Sequence, residues 1–159
     1  MMDLVEHRRL LNRKGSDVDM GRWIELGTVT AENDGDPLLI KDFDAKIVKI
    51  TGMIAVTDTN AMGFGISFNP EGTWNPPNIL RAQALNNELK PFSITAEVVG
   101  NYIVADIPSP NGTGSQGQTG RIAAACQCYI NGKITKVSAF STNGTIAKGS
   151  WIKVEKWEQ

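Results

Sequence analysis

The sequence predicts an all-β fold, an antiparallel β-sandwich of jelly-roll-like kind. Three observations predict it. From Arg22 onward, apolar residues recur with a period of two rather than 3.6. Two pairs of such runs flank the dipeptides Gly100-Asn101 and Asn131-Gly132, the turn chemistry of two-residue hairpins. Seven or eight runs in all are separated by Gly-, Pro- and Asn-rich segments, with no convincing interior helix.

The elements follow in order. Residues 1–21 read as an N-terminal arm, partly helical and outside the main core. Arg8, Arg9, Arg13 and Lys14 outweigh Asp3 and Glu6 there, and Leu4, Leu10 and Leu11 make a short apolar stripe. Residues 22–159 read as the sandwich domain. Its first strand is 22–30. Residues 31–44 carry five acids and one lysine and read as an acidic loop. A strand at 45–57 puts Val48, Ile50, Ile54 and Val56 on one face across Gly52. Another at 63–69 alternates Phe64, Ile66 and Phe68 with Gly63, Gly65 and Ser67. The segment 78–89 reads as a helical turn or two, or as an irregular strand.

The first hairpin sets Val98 opposite Ile103, Ala96 opposite Ala105 and Ile94 opposite Ile107, six apolar residues on one face. The second, RIAAACQCYI-NG-KITKVSAF, sets Cys128 against Thr135, Cys126 against Val137 and Ala124 against Ala139. The last strand, 150–158, turns Ile152 and Val154 one way and Trp151 and Trp157 the other.

Composition narrows the function. Sixteen Lys and Arg against seventeen Asp and Glu give a net charge of -1, with no basic excess for nucleic acid. No apolar run nears the ~20 residues of a membrane span, so no membrane insertion is expected. The first fifteen residues lack an apolar h-region, and no secretory signal is expected. His7 is the single histidine, so a triad would have to use it and a histidine-rich zinc site has too few ligands. Cys126 and Cys128 share a strand face, poorly placed to bridge each other, and read as reduced thiols packed as small hydrophobes. No metal and no cofactor are expected. Asn111 and Asn143 open sequons that read as turn sequences.

Two sets of residues are candidates for contact with a partner. Residues 69–78, NPEGTWNPPN, hold Trp74 in a proline-stiffened loop. An indole there offers a flat apolar face for a sugar ring or a protein hot spot, with Asn75, Asn69 and Glu71 supplying hydrogen bonds. Trp151 and Trp157, on the outer face of the last strand, are candidates for a subunit interface. The acids Glu32, Asp34, Asp36, Asp42 and Asp44 do not match an EF-hand and read as a solvated loop.

A short basic arm, then TGMIAVTDT (51–59) and a closing strand AKGSWIKVEKW (147–157), resembles small bacteriophage virion appendage proteins: tail-fibre tips, receptor-binding heads and capsid fibres. The resemblance covers Ala45–Gln159 in general style and carries over no site residue. It implies a non-enzymatic structural protein, made in the host cytoplasm and located in the virion as a homo-trimer. Its partners would be other virion proteins or a host-surface saccharide. The arm would be the attachment end and the far loops the recognition end. A free carbohydrate-binding module and a small jelly-roll enzyme are the competing classes.

Overall fold

The computed structural model describes residues 21–57, 63–69, 78–83, 88–100, 102–107, 122–127, 132–141 and 144–159. Ten strands form in chain order: β1 (Arg22–Thr30), β2 (Leu38–Ala45), β3 (Ile47–Ile54), β4 (Gly63–Phe68), β5 (Asn78–Gln83), β6 (Lys90–Val99), β7 (Tyr102–Ile107), β8 (Ile122–Gln127), β9 (Ile134–Ser141) and β10 (Trp151–Glu158). No helix occurs among the described residues.

The strands form a six-stranded sheet, β1-β10-β3-β6-β7-β8, and a four-stranded sheet, β2-β9-β4-β5. Four antiparallel pairings are nested in sequence: β1 with β10, β2 with β9, β3 with β6 and β4 with β5. Successive nested pairs fall in alternate sheets. That is one long antiparallel ribbon wound around a core, the jelly-roll arrangement. β7 and β8 are an inserted hairpin that widens the first sheet beyond β6.

The core lies between the sheets. Val48, Ile50, Ile94, Ala96, Ile103, Ala105, Ile152 and Val154 face inward from the six-stranded sheet, and Leu38, Ile40, Phe64, Ile66, Phe68, Ile134 and Val137 from the other. Phe64 and Phe92 meet across the gap with ring centroids 5.1 Å apart. Period-two burial on both sheets is what fixes register, since a one-residue slip would turn a whole inner face to water. Gly52 stands opposite Ile152 where β3 packs tightly on β10. A Cβ there would collide with the Trp151 carbonyl and lie 2.9 Å from the Phe92 ring.

The structure corrects two expectations and decides between the alternatives of a third. Residues 31–44 are not all loop, because β2 begins at Leu38. Its alternation of Leu38 and Ile40 is broken after Lys41 by a bulge, which hid the strand pattern. Of the two readings of 78–89, the irregular strand is borne out over 78–83, where β5 pairs with β4 through a shift of register.

The second correction concerns Asn131-Gly132, which does not close a hairpin between β8 and β9. β8 pairs with β7, setting Cys126 opposite Ile103 and Ala124 opposite Ala105. β9 lies in the other sheet, between β2 and β4. The inward choice of Val137 and Ala139 holds, for both are buried. A small-residue inner face fits either sheet, so the turn signal alone could not name the partner. Within the Gly100 hairpin, Val98–Ile103 and Ala96–Ala105 pair as expected.

Candidate functional site

Because neighbouring strands are antiparallel, the connections divide between two ends of the sandwich. β1 starts at one of them, just after Gly21, and β10 finishes there. The β2–β3, β4–β5, β6–β7 and β8–β9 connections leave from this same arm end. Hydrogen bonds tie it together: the Val98 N–H donates to the Lys46 carbonyl at 2.8 Å, and the Asn69 N–H to the Lys136 carbonyl at 3.0 Å.

Asn69 organises this end. It follows β4 in the left-handed region, with φ at 46°. Asn is among the few residues other than Gly that adopt this conformation readily. Its Oδ1 accepts the Thr135 N–H at 2.7 Å, the Thr135 hydroxyl at 3.1 Å and the Lys136 N–H at 3.1 Å. Its Nδ2 donates to the Lys133 carbonyl at 3.0 Å. Asn69 therefore spends its amide oxygen on β9 and acts as a positioning residue. It pins the root of the 69–78 segment rather than offering that oxygen to a ligand. Trp74, Asn75 and Glu71 lie outside the described residues.

Next to this clamp, β2 bulges. Lys41 pairs with Lys136 and Ala45 with Ile134, so three β2 residues stand against Thr135 alone. Asp42 takes φ at 66° to make the turn. Bulges of this kind re-aim side chains locally. The result is an open groove of about 530 Å³ lined by Asp42, Phe43, Asp44, Thr135 and Lys136. Phe43 is half-buried and rests on the core, while both flanking carboxylates are exposed. Lys133 Nζ reaches Asp44 Oδ2 at 2.7 Å. An aromatic body ringed by carboxylates and ammonium groups suits a ligand with one apolar and one polar side.

On the outer face of the six-stranded sheet, Trp157 pairs in register with Trp23. The rings meet edge-on at 5.2 Å with planes at 67°, and Lys49 Nζ sits 5.9 Å from the Trp23 ring centre. Trp151 shares that face but lies toward the opposite end of β10, about 20 Å away at the usual rise per strand residue. The two tryptophans therefore do not form one patch. The pairing with Trp23 was absent from the sequence reading because it depends on which strand lies beside β10.

The five acids are also separated. Glu32, Asp34 and Asp36 stand at the end opposite the arm, where Asp34 accepts the Lys148 N–H at 2.7 Å and Asp36 the Asn33 N–H at 2.8 Å. Asp42 and Asp44 lie near the arm end of β2. Among the described residues no group of three or more His, Cys, Asp or Glu is placed to hold a metal. No helix among them is long and apolar enough to cross a membrane. In that opposite end the buried Ser150 hydroxyl accepts the Ala55 N–H at 3.0 Å and donates to the Ala55 carbonyl at 3.3 Å. The Ala31 N–H donates to the Ser150 carbonyl at 2.8 Å.

No family model matches the chain, and no curated protein does. Among solved structures the chain is similar to a sialidase, with a TM-score of 0.40 and 9% identity, over 86% of this chain and 15% of that one. The chain thus spans a small part of that protein's length, and a likeness at this score carries no argument about activity.

Proposed function

We propose that the chain is a non-enzymatic virion structural protein, an appendage domain of a phage tail or head fibre. Its arm end seats on another virion protein. The loops of the opposite end face outward, toward a host-surface saccharide. The observation that supports this reading is positional. The point where the arm enters the fold, the Asn69-pinned root of the Trp74 segment and the Asp42–Asp44 groove share one end. In this reading Trp74, Asn75 and Glu71 serve the attachment contact. That differs from the arrangement the resemblance implies only in which end carries the tryptophan loop.

Copies associate as a homo-trimer through the outer face around Trp151, which stands in register with Met53. Three weak contacts on one stalk raise avidity by orders of magnitude without new chemistry. The solution mass of the isolated chain tests the assembly: the proposal expects three times 17.3 kDa by light scattering. Retained partner binding by Trp74→Ala would remove that residue from the contact.

A carbohydrate-binding module is the second reading. It is favoured by Phe43 standing between Asp42 and Asp44 in an open groove, an aromatic face beside hydrogen-bonding carboxylates. A glycan screen with Phe43→Ala as the control separates the two readings.

A further inference from the structure

The groove at the β2 bulge has acceptors to spare and few donors. In a regular strand Phe43 would point away from Asp42 and Asp44. The bulge sets all three against Thr135 and brings them to one groove.

Each carboxylate has a lysine on one oxygen only. Lys133 Nζ lies 2.7 Å from Asp44 Oδ2, and Lys41 Nζ 3.9 Å from Asp42 Oδ2. Among the described residues, Asp42 Oδ1 and Asp44 Oδ1 have no protein partner. Both side chains are mostly exposed, so these oxygens are open to a ligand.

Asn69 decides the character of the third group. The orientation of its amide is fixed by its partners. The Thr135 and Lys136 N–H groups point at Oδ1, and the Lys133 carbonyl faces Nδ2. The Thr135 hydroxyl also meets Oδ1, at 3.1 Å, and must donate to it. Its one proton is thereby committed, and toward any ligand Thr135 Oγ1 can only accept. Lys136 has a contact of its own and takes no part in this set.

We propose that the groove selects neutral, hydroxyl-rich pyranosides over the corresponding uronic acids. The sugar ring rests on Phe43, and its hydroxyls donate to Asp42 Oδ1, Asp44 Oδ1 and Thr135 Oγ1. The inference rests on the carbohydrate-module reading and adds its specificity. A neutral sugar brings a proton at every hydroxyl and an apolar C–H face for the ring. A uronic acid brings a carboxylate with no proton to give, set beside two like charges. Lys41 and Lys133 already match Asp42 and Asp44 in charge, so the ligand is chosen by its donors rather than by its net charge. Asn69 is the positioning residue of this specificity, since it sets the direction of the Thr135 proton.

The test titrates the ¹⁵N-labelled full chain with the methyl glycosides of glucose, galactose and mannose, and with the uronic acid of each. The amide signals of residues 42–44 and 133–136 are followed by NMR. At least one neutral glycoside is expected to shift these signals, with an affinity roughly tenfold above that of its uronic acid, the worth of one unmade hydrogen bond. Asp42→Asn keeps a residue suited to the left-handed backbone and adds a donor, and it should bring the two affinities together. A uronic acid that binds the groove as tightly as its neutral parent would overturn this inference and leave the carbohydrate reading standing. A preference unchanged in Asp42→Asn would overturn the acceptor set as its cause. Neutral glycosides that move none of these signals would overturn both the inference and the reading.

Discussion

The amide oxygen of Asn69 accepts the backbone N–H of Thr135 at 2.7 Å, joining the end of β4 to the start of β9, whose other side faces the bulge of β2. This bond and its neighbours fix where the 69–78 segment leaves the sandwich. Asn69→Ala removes the side-chain bonds and leaves a Cβ residue in the left-handed region. It is expected to destabilise the fold by about 3 kcal/mol in urea unfolding. Asn69→Gly keeps the backbone freedom and should cost about 1 kcal/mol less. Equal losses for the two would show that the left-handed backbone contributes nothing.

The Trp23–Trp157 pair should behave as a coupled unit. A double-mutant cycle with Trp23→Ala and Trp157→Ala is expected to give a coupling of about 1 kcal/mol, the usual worth of an edge-on aromatic pair. Additive losses would mean that the two rings stabilise the sheet separately.

Gly52 admits no side chain. Gly52→Ala drives a methyl into the Trp151 carbonyl and the Phe92 ring, and β3 and β10 cannot separate without breaking their ladder. We expect a loss of about 3 kcal/mol, as for a severe overpacking substitution. A loss within experimental error would contradict the close approach of these two strands.

Two buried serines should respond in opposite ways. Ser150→Ala leaves the Ala55 N–H without its partner and should cost about 2 kcal/mol. The Ser67 hydroxyl is buried with no hydrogen-bond partner among the described residues. Ser67→Ala should therefore be neutral or stabilising by up to about 1 kcal/mol. Thermal melts of the two variants against the parent chain check both signs.

Much of the fold was legible because burial leaves a period-two mark on a strand. Phe64, Ile66 and Phe68 announce β4, and Ile152 and Val154 announce β10, with all five fully buried. The Gly100 turn was legible because its flanking residues agree in register on both sides. Sheet membership was not legible at β8 and β9. Their alternation defines an inner face but not the strand that lies beside it, and the winding of the ribbon decides that. β2 was missed because its bulge at Asp42–Asp44 places acids where alternation would continue. Of the candidate site, Asn69 was legible only as a polar residue of the 69–78 loop, not as the clamp its amide makes on β9. The groove was not, since it arises from a non-glycine residue at positive φ and from two strands distant in sequence.

If the chain attaches by its arm end, as proposed above, shortening that end removes it from the particle. The most direct measurement is the copy number of the chain in purified particles, by quantitative immunoblot, for the full chain and for a chain lacking residues 1–20. The account predicts at least a tenfold loss of incorporation for the shortened chain, with its fold retained by circular dichroism. Equal copy numbers would contradict it and would move attachment to the opposite end of the sandwich.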